Sequence, residues 1–202
     1  RFQSRDRFAI AETGFGTGLN FILAAGAFDG NALDYWSFEK YPLSVAEIEN
    51  TLTSLLIPPS AGEEGQEGCD ILHRLSKRYP LRIPGFHQIE MDNVRLVLIF
   101  DDVNEAVAQM DVKADAWFLD GFAPSKNPEM WTDTLFPNMA RLSRKGATFS
   151  TFKAAGRVRR GLEAAGFSVE KFKGFGKKKH MIKGAYETEV VSSPADEPEK
   201  PA

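Results

Sequence analysis

The chain has 202 residues and a hydrophobic fraction of 43%, enough for one domain with a sizeable core and typical of a globular rather than a disordered protein. One cysteine, Cys69, excludes an internal disulfide, and with only three histidines a structural zinc site is not expected. The net charge of −3 hides an asymmetry: Arg141 to Lys183 carries thirteen Lys or Arg against Glu163 and Glu170, a net of +11 that leaves −14 on the other 159 residues.

No apolar run reaches the roughly 18 residues of a membrane span, and residues 1 to 20 lack the layout of a signal peptide. The expectation is therefore a cytoplasmic protein with no membrane partner and no metal. Because Arg1 lies only a few residues before the first apolar run, the sequence reads as a fragment of a longer polypeptide.

In chain order, strands are expected at Arg7 to Thr13, Ala32 to Glu39, Val94 to Phe100, Ala114 to Leu119, Ala147 to Phe152, Ser168 to Phe172 and His180 to Tyr186. Helices are expected at Gly18 to Ala27, Ser44 to Leu56, Val103 to Gln109, Glu129 to Leu142 and Gly156 to Ala165. Alternation of this kind predicts a parallel sheet covered by helices. Pro58 to Gly68 reads as a flexible loop, followed by a weakly helical piece and by "YPLRIPGFHQI", where Pro80 and Pro84 break any helix. Together these form an insertion between the second and third strands. Seven strands, the last ones close together in sequence, suggest a Rossmann-like α/β sheet, mostly parallel and ending in an antiparallel hairpin. That ending is the class I S-adenosylmethionine-dependent methyltransferase arrangement rather than a dinucleotide-binding one.

Directly behind the first strand comes "ETGFGTGLNF", with Glu12, Gly14, Phe15, Gly16, Thr17, Gly18 and Asn20 between strand and helix. Glycine is needed where φ is positive or a ligand lies against the backbone, and a helix start offers free N–H groups to an anion. In a dinucleotide fingerprint the third glycine falls three positions after the second; here it falls two after, and an acid precedes the turn. This spacing suits S-adenosylmethionine, with its amino-acid end at the turn and Glu12 near its ammonium, directly or through water. Glu39, 21 residues after Gly18 and beside Lys40, ends the second strand where an acid can accept from both ribose hydroxyls. In "LIFDDVNEAV", Asp102 or Asp101 could accept from the adenine amine with Val103 and Phe100 packing near the ring, or one of the pair could cap the next helix.

The fourth strand ends in Asp120-Gly121-Phe122-Ala123-Pro124, at the sheet edge where open α/β folds place their sites. A carboxylate followed by glycine and an aromatic resembles the loop of enzymes that methylate nitrogen. An alkyl ammonium, with a pKa of roughly 10, must lose a proton before its lone pair can attack a methyl group. Asp120 is the candidate to orient the amine and receive that proton. Phe122 could wall the pocket or stack on a base, with Pro124 beside it. Lys126, Asn127 and Trp131 lie just beyond, on a loop entering the helix after Pro128, either beside the pocket or in ordinary loop and helix packing.

"ETGFGTGLNF", "SFEKYPL", "DAWFLDGFAPSKNPEMWT", "GRVRRGLEAAGF" and "KGFGKKKHM" together resemble the methyltransferase domain of the MnmC family of bifunctional tRNA-modifying proteins, over about residues 7 to 187. The resemblance implies methyl transfer from S-adenosylmethionine to the primary amine of 5-aminomethyl-2-thiouridine at the tRNA wobble position. It implies a partner, fused or separate, in the form of an FAD-dependent oxidoreductase domain that exposes the amine; FAD itself is not expected in this chain. It supports the roles given above to Glu12, the three glycines, Glu39, Asp102 and Asp120, and gives Arg157, Arg159, Arg160, Lys177, Lys178 and Lys179 a purpose in holding tRNA phosphates. Residues 1–190 would form the methyltransferase domain, without the family's usual N-terminal extension, and the proline-rich tail 191–202 a linker. The alternatives are another nitrogen methyltransferase acting on DNA, protein or a small amine, an NAD-binding oxidoreductase, and a non-catalytic RNA-binding module.

Overall fold

The computed structural model describes residues 6–56, 63–121, 127, 129–152, 156–174 and 180–187. Its strands are β1 (Phe8–Thr13), β2 (Leu33–Phe38), β3 (Gly85–Met91), β4 (Val94–Phe100), β5 (Ala114–Leu119), β6 (Ser143–Thr151), β7 (Glu170–Lys173) and β8 (His180–Ala185). The helices are α1 (Leu19–Gly26), α2 (Val45–Leu56), α3 (Glu63–Arg78), α4 (Val103–Gln109), α5 (Leu135–Arg141) and α6 (Gly156–Ala164).

The strands form one sheet in the order β3-β4-β2-β1-β5-β6-β8-β7. The five strands β4, β2, β1, β5 and β6 run parallel, while β3 at one edge is antiparallel to β4 and β8 is antiparallel to both β6 and β7. Chain order runs outward from β1 to β2 and β4, then returns to β5 on its other side. The crevice above the carboxyl ends of β1 and β5 is thus the switch point at which such sheets bind ligands. With β8 inserted between β6 and β7, this is the class I methyltransferase fold.

Two apolar layers hold the sheet. On one face α1, α2 and α3 bury Phe21, Ile22, Ile48, Leu52, Leu72 and Leu75 against Ile10, Tyr35, Leu96 and Leu98. On the other, α4, α5 and α6 bury Val107, Phe136, Met139, Val158 and Leu162 against Val97, Trp117 and Phe149. The near-continuous apolar runs of β4 and β5 reflect this covering of both faces. No described helix is long and apolar enough to cross a membrane.

The sheet has eight strands rather than the expected seven. The extra one is β3, within the segment expected to be an irregular insertion. Pro80 and Pro84 do end a helix, but Gly85–Met91 alternates exposed and covered positions along the edge of the sheet. A strand open to water on one face carries polar residues at every second position and escapes a search for apolar runs. Glu63 to Gly68, expected in a loop, opens the 16-residue α3. Its buried positions Gly68, Leu72 and Leu75 recur at helical spacing, a stripe that the acidic, glycine-bearing start obscured. Helix α5 is shorter than the expected Glu129 to Leu142, because residues 129–134 form turns.

Candidate active site

The turn after β1 uses its glycines in different ways. Gly14, Gly16 and Gly18 all have positive φ, at 90°, 54° and 80°. A Cβ on Gly14 would lie 3.0 Å from the Gly121 backbone, and one on Gly18 would lie 2.7 Å from the Phe15 ring. These two permit close packing of chain on chain. At Gly16 a Cβ meets nothing within 4 Å, so there the backbone is bared to a cleft.

That cleft, of about 390 Å³, is lined by Gly14, Phe15, Gly16, Thr17, Asn20, Glu39, Lys40, Asp102, Val103 and Asp120, all expected from the sequence. The lining also includes Asp101, Gly121 and Asn127, likewise named from the sequence, and Leu19, Phe38, Tyr41 and Met130, which are not. Phe100, expected near the adenine, is buried beside Tyr79 and His87 and does not line the cleft. Tyr41, 68% exposed at the lip, had a signal in "FEKY", two residues after the ribose acid. Leu19, Phe38 and Met130 carry no polar pattern that would set them apart from core or loop.

Glu39 follows β2, and its carboxylate accepts from the Gly16 N–H at 2.9 Å and the Tyr41 N–H at 2.9 Å. It ties the glycine turn to the second strand while keeping lone pairs for a ligand. Of the Asp101–Asp102 pair, Asp102 is the one that caps the next helix, and it also lines the cleft. Its Oδ1 accepts from the Asn104 N–H at 2.9 Å as the N-cap of α4, and its Oδ2 accepts from Lys40 at 2.9 Å across the mouth of the cleft. Desolvation works to raise the Asp102 carboxyl, but the bonds from Lys40 and Asn104 outweigh it and hold it below the ordinary range. Lys40 is raised by the same partner.

Glu12 lies behind the cleft, fully buried, and does not line it. Its two oxygens accept from Asn20 at 2.8 Å and Ser37 at 2.8 Å. Burial pushes its carboxyl up to about 8, with Asp120 adding to the rise and the hydrogen bonds opposing it. The Tyr35 hydroxyl is buried close to the same carboxyl without meeting hydrogen-bond geometry, and its own acidity is weakened by burial and by the Glu12 charge. Glu12 does not reach the cleft, whereas Asn20, which donates to it, does.

Asp120 stands one residue past β5, beside the turn. Its Oδ1 accepts from the Gly121 N–H at 2.8 Å and its Oδ2 from Asn20 at 3.3 Å, while its backbone carbonyl accepts from the Thr13 hydroxyl at 3.0 Å. Gly121 has φ of 105°, and a Cβ there would meet the Met130 sulfur at 2.9 Å.

Trp131 is a correction. It is fully buried, its ring 6.5 Å from Phe136 in the core, so packing rather than substrate contact occupies it. Arg157, Arg159 and Arg160 are exposed on α6, with Arg159 paired to Glu163 at 2.8 Å. Phe122, Pro124, Lys126, Lys177, Lys178 and Lys179 lie outside the described residues. Among the described residues no group of His, Cys, Asp or Glu is arranged to hold a metal ion.

The lining is thus partly apolar, bares backbone at Gly16, and presents Glu39, Asp120 and the Lys40–Asp102 pair. The model of the family described as S-adenosyl-L-methionine-dependent methyltransferase matches residues 66–187. The chain belongs to this methyltransferase family. It is 47% identical over 190 residues to the tRNA 5-methylaminomethyl-2-thiouridine biosynthesis bifunctional protein MnmC of Ectopseudomonas mendocina (strain ymp), a match covering 91% of this chain and 27% of that protein. The protein of the same description from Marinomonas sp. (strain MWYL1) is 46% identical over 187 residues, covering 89% of this chain and 26% of that protein. The chain thus spans about a quarter of the length of these curated relatives. Among solved structures, MNMC2 from Aquifex aeolicus superposes with a TM-score of 0.68 at 21% identity, over 93% of this chain and 55% of that one, a likeness of fold.

The methyltransferase cofactor fits this cleft on its own terms. S-adenosylmethionine carries a sulfonium and an ammonium, which the acidic lining complements, and pockets of this volume suit ligands of its size. Glu39 would hold its ribose, Asp102 and Val103 its adenine, and Gly16 and Asn20 its amino-acid end.

Proposed function

We propose that this chain is the methylating part of a bifunctional tRNA-modifying enzyme, acting on the primary amine of 5-aminomethyl-2-thiouridine at the wobble position. The observation that carries the reading is the Asp120 carboxylate, fixed by two N–H donors at the head of a cleft built for a cationic cofactor. S-adenosylmethionine, when bound, supplies an electrophilic methyl group. Asp120 accepts a hydrogen bond from the amine, turns it toward the cleft and takes the proton that frees the lone pair; such general-base help contributes about 10²–10⁴-fold. The fixed carboxylate needs no rearrangement to do so.

The 46–47% identity to two proteins described as making 5-methylaminomethyl-2-thiouridine supports the choice of substrate. So do the exposed Arg157, Arg159 and Arg160, suited to a polyanion. The remaining three quarters of those relatives leave room for the FAD-dependent oxidoreductase that would expose the amine, and the setting would be the cytoplasm.

The test is transfer of labelled methyl from S-adenosylmethionine to tRNA from a strain lacking this modification, followed by digestion to nucleosides. Label is expected in 5-methylaminomethyl-2-thiouridine. Label in another nucleoside, or none despite cofactor binding, overturns the substrate assignment.

A further inference from the structure

We propose that Asn20 is a positioning residue for methyl transfer, its one side-chain amide clamping the Asp120 carboxylate by donating one hydrogen to it and the other to buried Glu12. The proposal rests on Asp120 as the proton acceptor. Asn20 sits in the first turn of α1, whose start is fixed by Gly18 in the left-handed conformation and by the Ile22 N–H donating to the Gly18 carbonyl at 3.0 Å. Its Nδ2 lies 2.8 Å from Glu12 Oε1 and 3.3 Å from Asp120 Oδ2. A primary amide has two N–H bonds, and two acids take them.

The opposite orientation would turn the amide oxygen, which can only accept, toward Asp120 and forfeit the bond to it, so Asp120 dictates which way the amide faces. Glu12 is itself held from β2 by Ser37, which gives the clamp a rigid anchor on the far side from the ligand. Each Asp120 oxygen then has one fixed donor, Gly121 N–H on one and Asn20 on the other. The carboxylate cannot swing, and its remaining lone pairs stay available to the cleft that Asn20 and Asp120 both line. Neither acid is remote from the other in effect: the titratable groups around the amide are Glu12 on β1, Tyr35 on β2 and Asp120 after β5, and Asp120 acts on the charge of both others. An uncharged double donor at position 20 lets two carboxyl groups stand close to one another.

Three variants test this in single-turnover methyl transfer at saturating cofactor and tRNA, across pH, with cofactor Kd and Tm measured alongside. Asn20→Ala should slow transfer by about 10–100-fold, the scale of small misplacements of a reacting group, with a smaller change in cofactor Kd. Asn20→Asp puts a third acid between two and should move the acid limb of the rate profile up by about one pH unit or more. The exchange Glu12→Gln with Asn20→Asp restores an amide–carboxylate bond at the buried end but leaves a carboxyl facing Asp120, so Tm should recover toward wild type while the rate does not. A wild-type rate in Asn20→Ala, an unmoved acid limb in Asn20→Asp, or a rate that recovers together with Tm in the exchange would each overturn the clamp. Asp120→Ala run in parallel separates the two readings: if it transfers methyl normally, the reading of Asp120 fails first, and if it alone is impaired, only the clamp fails.

Discussion

The cleft above β1 and β5 and the outer side of the sheet, from β6 to β7, carry opposite charge by opposite means. Around the cleft the acids are few and held: Glu39, Asp102 and Asp120 line it, Glu12 lies buried behind it, and each accepts at least two hydrogen bonds from named donors. On the outer side Arg157, Arg159 and Arg160 stand in solvent on α6. Held charges define where a reacting atom must sit, because neither side chain nor solvent has to reorganise around it. Exposed charges define only how strongly an oppositely charged surface is drawn in, over roughly the 8–10 Å that salt permits.

The sharpest way to break this comparison is to remove one held acid. Asp120→Ala is expected to lower single-turnover methyl transfer by about 10²–10⁴-fold, while S-adenosylmethionine affinity by calorimetry changes little. A rate within a few-fold of wild type would mean that the amine arrives already neutral and that the position of Asp120 is incidental. Removing exposed charges should do the converse. Changing Arg157, Arg159 and Arg160 together to Ala is expected to weaken tRNA binding and to flatten the slope of log K against log salt by about 2–3, with cofactor affinity unchanged. An unaltered salt slope would show that the polyanion lies elsewhere on the molecule.

The same contrast governs what could be read from the sequence. Gly14, Gly16 and Gly18, Glu39 and Asp120 were legible because backbone conformation and ligand chemistry both constrain them, and a constrained position leaves a residue type behind. β3 and the start of α3 were not, because each is half open to water and its apolar residues are diluted by polar ones. Trp131 misled for a related reason: an aromatic next to a site-bearing loop has the same signature whether it faces substrate or core, and only packing against Phe136 decides. The clamp formed by Asn20 had no signal at all in spacing, since Glu12, Asn20 and Asp120 meet only once β1, α1 and β5 are side by side.

The smallest expected effect sharpens the contrast from the inside. Glu12 is held but not solvated, and its carboxyl is raised from an ordinary 4.5 to about 8 in the folded protein. Below the unfolded value both states are protonated. Between about 4.5 and about 8 the unfolded chain has lost the proton that the folded one keeps, so stability falls as pH rises and levels off above the folded value. Without cofactor, Tm should therefore decline across that window, and Glu12→Gln, which keeps the shape but cannot ionise, should remove that share of the decline. Each 1 kcal/mol of the difference corresponds to about 2–4 °C in a protein of this size. A bound sulfonium and ammonium nearby would favour the carboxylate and pull the folded value down, so saturating S-adenosylmethionine should shrink the difference between the two proteins near neutral pH. If the curves of the wild type and of the Glu12→Gln variant run parallel with and without cofactor, Glu12 is already charged in the folded state, and the buried end of the site belongs with the solvated charges after all.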